Sequence, residues 1–123
     1  MIAIRVHTFG GPEVISVDRI PIPEPGEGQA LVRVLAAGVG PWDALVRSGK
    51  SGIAQSLPLT LGSDIAGTVE RVHGNGDDGI RQGDEVFGVT NSSFTDGYAE
   101  YAIADLSSIA RKPRSLSFVE AAG

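Results

Sequence analysis

The chain has 123 residues, 41% of them hydrophobic and 20% charged, which suits one folded core and excludes a disordered tail or a membrane-spanning protein. Ten Lys and Arg against fifteen Asp and Glu leave a net charge of −5, a poor basis for binding nucleic acid, where phosphate neutralisation dominates. Cysteine is absent, and with it disulfides, thiolate nucleophiles and cysteine-containing metal sites.

Seventeen glycines and seven prolines punctuate the chain as short strands and tight turns require. Ile2–Val6 is a β-branched run stopped at Gly10-Gly11-Pro12, and a second strand alternates over Val14–Arg19. Pro21, Pro23 and Pro25 cannot donate ladder hydrogen bonds, so this stretch is an extended edge or connector. Gln29–Val39 is the clearest strand. Pro41 at a first helical position, Asp43 in the first turn and Gly49 past the end predict a short helix over Pro41–Ser48. Lys50–Gln55 reads as loop, and Leu57–Leu61 is apolar. Ile65–Val72, Glu85–Val89, Tyr98–Ile103 and Ser108–Ala110 read as further strands. Many short strands with glycine-rich turns point to a sandwich or barrel.

Ser117-Phe118-Val119-Glu120 is a capping box, in which Ser117 and Glu120 satisfy each other's backbone amides. Only Ala121, Ala122 and Gly123 follow, whereas an isolated helix needs about 12–15 residues to be marginal in water. The expectation is a helix start whose continuation is missing.

The chemical motifs are sparse. Gly74-Asn75-Gly76-Asp77-Asp78-Gly79 matches G-x-G-x-x-G, but no helix follows, and Asp77 and Asp78 would repel a pyrophosphate. It reads as a turn between strands. His7 and His73 are the only histidines and read as surface residues rather than metal ligands. No G-x-S-x-G nucleophile elbow occurs. Asn91-Ser92-Ser93 matches a glycosylation sequon by chance, as no secretion signal precedes it. Trp42, the only tryptophan, is either a core or lid residue or the apolar wall of a cleft. Asp64 is costly to bury alone, so it is either paired with an arginine or placed on a cleft.

Four segments in register carry a resemblance: Ala36-Ala37-Gly38-Val39-Gly40-Pro41-Trp42-Asp43, Leu61-Gly62-Ser63-Asp64-Ile65-Ala66-Gly67, Gly83-Asp84-Glu85-Val86-Phe87-Gly88 and Gly97-Tyr98-Ala99-Glu100-Tyr101. Together they resemble the N-terminal GroES-like domain of the medium-chain dehydrogenase/reductase superfamily, closest to its zinc-free quinone oxidoreductase branch. The resemblance implies a mainly β, partly open barrel with short helices over residues 1–116, with 117–123 starting the helix into a Rossmann domain that is absent here. It implies an intact enzyme in which NADPH, bound mainly by that missing domain, passes hydride to a quinone or activated enone, while the fragment itself is inactive. Substrate would sit between the domains.

The departures from the family are informative. In the zinc-dependent branch a cysteine stands at Gly40, a proton-relay serine or threonine at Trp42, and a histidine–glutamate pair at Ser63 and Asp64. The lobe with four structural cysteines would fall near Thr90–Thr95, which here is short and cysteine-free. No zinc is therefore expected, as serine, glycine and one carboxylate cannot close a nitrogen/sulfur shell. Within the quinone reductase branch an asparagine is replaced by Gly40 and a tyrosine by Ser51. The resemblance places Gly40, Pro41, Trp42, Asp43, Ser51, Ser63, Asp64 and Thr90 along the cleft, with no residue assigned as acid or nucleophile. Expected partners are a small-molecule substrate and a second copy as homodimer, with neither nucleic acid nor membrane, in the cytoplasm. Two other readings are a stand-alone GroES-like module for binding or oligomerisation, and a non-catalytic relative in which Gly40 marks a dead site.

Overall fold

A computed structural model of the chain describes residues 1–73 and 79–123; the glycine-rich run at 74–78 lies outside the described residues. The strands are β1 (Ile2–Val6), β2 (Ile15–Arg19), β3 (Gln29–Ala37), β4 (Leu59–Thr60), β5 (Asp64–His73), β6 (Glu85–Val89), β7 (Tyr101–Asp105) and β8 (Ile109–Arg111). The helices are α1 (Pro41–Ser48) and α2 (Phe118–Ala122), with single 3-10 turns at Pro12–Val14 and Leu106–Ser108. All strand pairs are antiparallel. One sheet has the order β2-β1-β4 and the other β7-β3-β5-β6-β8. Mainly β, with two sheets and short helices, is the architecture of a GroES-like domain.

The pairing follows from the side chains. β3 is flanked on both sides, by β5 and β7, and accordingly buries Ala30, Leu31 and Val32 in succession. Ala30 and Val32 join Ile65, Val69, Val86, Ala102, Ala104, Leu106 and Ile109 in the main core, which Ile80 closes. A smaller core of Val6, Val46, Leu59 and Leu61 packs α1 against the three-stranded sheet, with Phe94 and Tyr98 along its margin.

Residues 98–100 join the two sheets. Spacing alone suggests one strand from Tyr98 to Ile103, whereas the regular strand begins at Tyr101. The preceding residues turn to β1: Ile4 N–H donates to Tyr98 O at 2.8 Å, Glu100 N–H donates to Ile2 O at 3.1 Å, and Ala99 bridges Ala3. On the other side Val34 N–H donates to Glu100 O at 2.9 Å. The segment thus bridges both sheets and partly closes the barrel, and its backbone groups are satisfied on two fronts.

Both helices obey their local signals. Pro41 opens α1, Asp43 reaches back to the Gly40 N–H at 2.9 Å, and Gly49 ends it in the left-handed region with φ 77°. In α2, Glu120 N–H donates to Ser117 Oγ at 3.1 Å and Ser117 N–H donates to Glu120 Oε1 at 3.0 Å, the reciprocal pattern of a capping box. These bonds hold the exposed Glu120 carboxyl below the usual carboxylate range, the backbone bond from Ser117 first. Such a short helix persists because Ala122 is buried against the domain. Lys112 Nζ, 5.0 Å from the centre of the Phe118 ring, also pins its start. Among the described residues no helix is long and apolar enough to cross a membrane.

Candidate functional site

A cleft of about 420 Å³ opens where β3 hands over to α1. Its walls are Gly38–Trp42, Asp64 at the head of β5, Phe87–Val89 of β6 and Ala121–Gly123 at the end of α2. Gly38 N–H donates to Asp64 O at 2.8 Å, which holds the two banks together. A Cβ on Gly38 would collide with the Ala122 carbonyl, so glycine here is what lets α2 approach. A Cβ on Gly40 would lie 2.6 Å from the indole carbons Cε2 and Cζ2 of Trp42. The indole therefore lies folded over the Gly40 backbone. Trp42 remains 41% exposed, and Val39 at 87% and Val119 at 74% are far more open than apolar side chains of a finished core.

Beneath the cleft lies a polar network. The Tyr98 hydroxyl is 2.7 Å from Asp43 Oδ2, to which it donates, and 3.1 Å from the Gly38 carbonyl. Asp43 Oδ2 also accepts from the Gly40 N–H, and Asp43 is only 6% exposed. Its second oxygen, Oδ1, is buried with no hydrogen-bond partner. Burial, and next the bond to Asp43, push the Tyr98 phenol well above its ordinary range. Asp64 is also pushed up, first by burial and then by the negative charge of Asp43, while the Trp42 indole works the other way.

The structure brings together only part of the expected site. Gly40, Pro41, Trp42 and Asp64 line this cleft. Asp43 lies below the surface and caps α1. Ser63 and Thr90 do not line this cleft, because both are fully buried. Thr90 Oγ1 donates to Thr95 O at 2.6 Å, its N–H donates to Ser63 O at 2.9 Å, and Ser63 Oγ has no partner. They brace the strand ends behind Asp64. Ser51 turns its hydroxyl to the backbone of Ile53 within its own loop and is also away from the cleft.

Among the described residues the lining has one titratable side chain, Asp64, and no lysine or arginine. It fits a neutral ring better than a phosphate, which would meet a carboxylate and no cation.

Residues 26–114 match the family of the alcohol dehydrogenase GroES-like domain. The chain belongs to that family. It is 43% identical over 123 residues to a quinone oxidoreductase of Pongo abelii, covering 99% of this chain and 36% of that protein. An NADPH-dependent alkenal/one oxidoreductase of Arabidopsis thaliana is 35% identical, covering 94% of this chain and 32% of the relative. Among solved structures, a quinone oxidoreductase from Coxiella burnetii superposes with a TM-score of 0.90 at 34% identity, covering 99% of this chain and 40% of the other. A mycobacterial protein complexed with NADPH gives a TM-score of 0.80 at 34% identity, over 96% of this chain and 34% of its own. The chain spans about a third of the length of the curated relatives it matches.

This GroES-like domain uses several cleft residues that sequence reasoning passed over. Phe87 and Val89 share one face of β6, a signal present in the two-residue alternation. Tyr98 belongs to the segment Gly97–Tyr101, yet its partner Asp43 is 55 positions away and no local pattern joins them. Ala121–Gly123 reach the cleft only because α2 docks there.

Proposed function

We propose that this GroES-like domain is the substrate-side part of a zinc-independent, NADPH-dependent oxidoreductase that reduces quinones or activated enones by hydride transfer. The observation that carries it is the cleft itself, an apolar hollow with one carboxylate and no cation, in a domain whose relatives are named quinone and alkenal/one oxidoreductases. Residues 1–116 would form the GroES-like domain, and 117–123 the beginning of the helix toward a nucleotide-binding part. The relatives' greater length supports that division.

The backbone of Gly38–Gly40 and the Trp42 indole would hold the nicotinamide end and the acceptor. When bound, a dihydronicotinamide supplies the hydride, and the domain supplies position and exclusion of water. Asp64 would stand at the cleft edge, its carboxyl raised above the ordinary aspartate value first by burial and then by the Asp43 charge. The absence of zinc is proposed from the donors: Gly40, Ser63 and Asp64 offer one carboxylate and no nitrogen or sulfur ligand. Acceptors that are already electron-poor need no such Lewis acid.

The test is a steady-state assay of the full-length protein against quinones, enones and alcohols, comparing NADPH with NADH. Reduction of quinones or enones with preference for NADPH, unaffected by chelators, is the expected result. Activity confined to alcohols and abolished by a chelator would sink the reading.

A further inference from the structure

The Trp42 ring occupies the space that any side chain at position 40 would fill. The ideal Cβ at Gly40 falls 2.6 Å from Cε2 and Cζ2 and 3.1 Å from Cδ2 of the indole. A ring this close to the Cβ position of Gly40 lies along the backbone. It is nonetheless 41% exposed, and it lines the cleft together with a second aromatic residue, Phe87. The resulting wall is flat, apolar and electron-rich.

We propose that the Trp42 indole is the stacking surface for the electron acceptor and makes this site selective for neutral, flat, conjugated ring acceptors, with Gly40 as the residue that leaves it room. The proposal rests on the oxidoreductase reading and names its substrate class. Three features of the cleft support it. Aromatic faces prefer offset-stacked rings, and an electron-poor ring suits the negative face of an indole. The absence of lysine and arginine from the lining, beside Asp64, disfavours an anionic acceptor. Linear enones offer little surface to stack, so they gain less from the ring.

Trp42 is the only tryptophan, so its indole N–H gives one resolved resonance in a nitrogen-15 spectrum. The chain is titrated with 2-methyl-1,4-naphthoquinone, with its sulfonate and with a linear enone, 3-penten-2-one. The indole resonance should move and saturate with the naphthoquinone at about tenfold lower concentration than with the other two, the factor expected of one aromatic pair with its buried area. Binding to variants is read on the Gly38 amide. Trp42→Phe should bind nearly as well. Trp42→Leu, which keeps apolar bulk without a flat π face, and Gly40→Asn, which displaces the ring, should each weaken the naphthoquinone about tenfold. In the full-length protein Trp42→Leu should raise KM for the naphthoquinone by about the same factor, and by more than it raises KM for 3-penten-2-one.

An indole resonance indifferent to the naphthoquinone, or a Trp42→Leu variant that binds it as tightly as the parent, overturns the proposal. A full-length protein that reduces no acceptor with either nicotinamide defeats the oxidoreductase reading instead, and the indole titration still decides whether Trp42 stacks flat rings.

Discussion

The Tyr98 hydroxyl donates to Asp43 Oδ2 across 2.7 Å, linking the segment that bridges the two sheets to the helix that starts at the cleft. The same carboxylate oxygen accepts from the Gly40 N–H, so one buried group fixes both the helix start and the backbone beneath the Trp42 ring. Removing the hydroxyl leaves a buried carboxylate short of a donor, beside an Oδ1 that already has none. Tyr98→Phe should therefore cost about 1–3 kcal/mol in urea unfolding. Gly40 and Trp42 resonances should shift with it, since their anchor is lost.

Tyr98 should also be silent in an alkaline titration. Burial and its bond to Asp43 raise it above the ordinary phenol value of 10.0. The ultraviolet signal of tyrosinate should show Tyr98 still protonated above that ordinary value. Because the folded value lies above the unfolded one, the stability from Tyr98 is complete below the ordinary value and lost as pH rises through the raised one. Ionisation of Tyr98 at the ordinary phenol value in the folded chain would contradict this.

Asp64 should titrate above the ordinary aspartate value of 3.8, for burial and the Asp43 charge both favour its neutral form. The carboxyl carbon-13 resonance followed against pH reads this directly. Asp43→Asn removes the repelling charge and should move the Asp64 midpoint down. The folded chain holds this proton longer than the unfolded chain, so stability falls as pH rises from the ordinary value through the raised one. Asp64→Asn should flatten that slope.

Val46 is 1% exposed and carries the contact of α1 with Val6, Leu59 and Leu61. Val46→Ala removes buried methyl groups that cannot be replaced by solvent, and should cost about 2 kcal/mol in denaturant unfolding. The exposed Leu45 beside it, at 47%, should change stability by less than about 0.5 kcal/mol when replaced by alanine, apart from helix propensity.

Ser117→Ala removes the acceptor for the Glu120 N–H and should weaken α2 by about 1 kcal/mol. Hydrogen exchange at the Ala121 amide, which donates to Ser117 O at 2.9 Å, should quicken. Protection in β3 and β5 should stay unchanged, because their bonds do not involve α2. Gly38→Ala should loosen the same helix by a different route, through collision with the Ala122 carbonyl.

Much of the fold is legible because its signals are local. Pro41, Asp43 and Gly49 mark both ends of α1, and Ser117 with Glu120 marks the start of α2, since a cap is a bond between near neighbours. β3 is found by its apolar run and β5 by its β-branched residues. The misplaced start of β7 has the opposite cause. Tyr98, Ala99 and Glu100 have strand-like chemistry, but their partner is β1, almost the whole chain away. Propensity does not say which strand a segment will pair with. The site divides in the same way: Gly40, Pro41, Trp42 and Asp64 belong to motifs and reach the cleft, whereas Ser63, next to Asp64 in the same motif, is buried, as is Thr90.

By itself the sequence determined the class of domain, the places of both helices, and the want of nitrogen and sulfur ligands at the positions where a zinc site would have stood. These depend on residue type and short spacing. Only the tertiary structure decided that the indole of Trp42 lies over Gly40, that Asp43 accepts from Tyr98, and that α2 closes the cleft against Gly38. Each of these is a contact between groups brought together by strand pairing and packing. The direction of a side chain at such a place is set by the volume its neighbours leave free, and one-dimensional spacing carries no record of that volume.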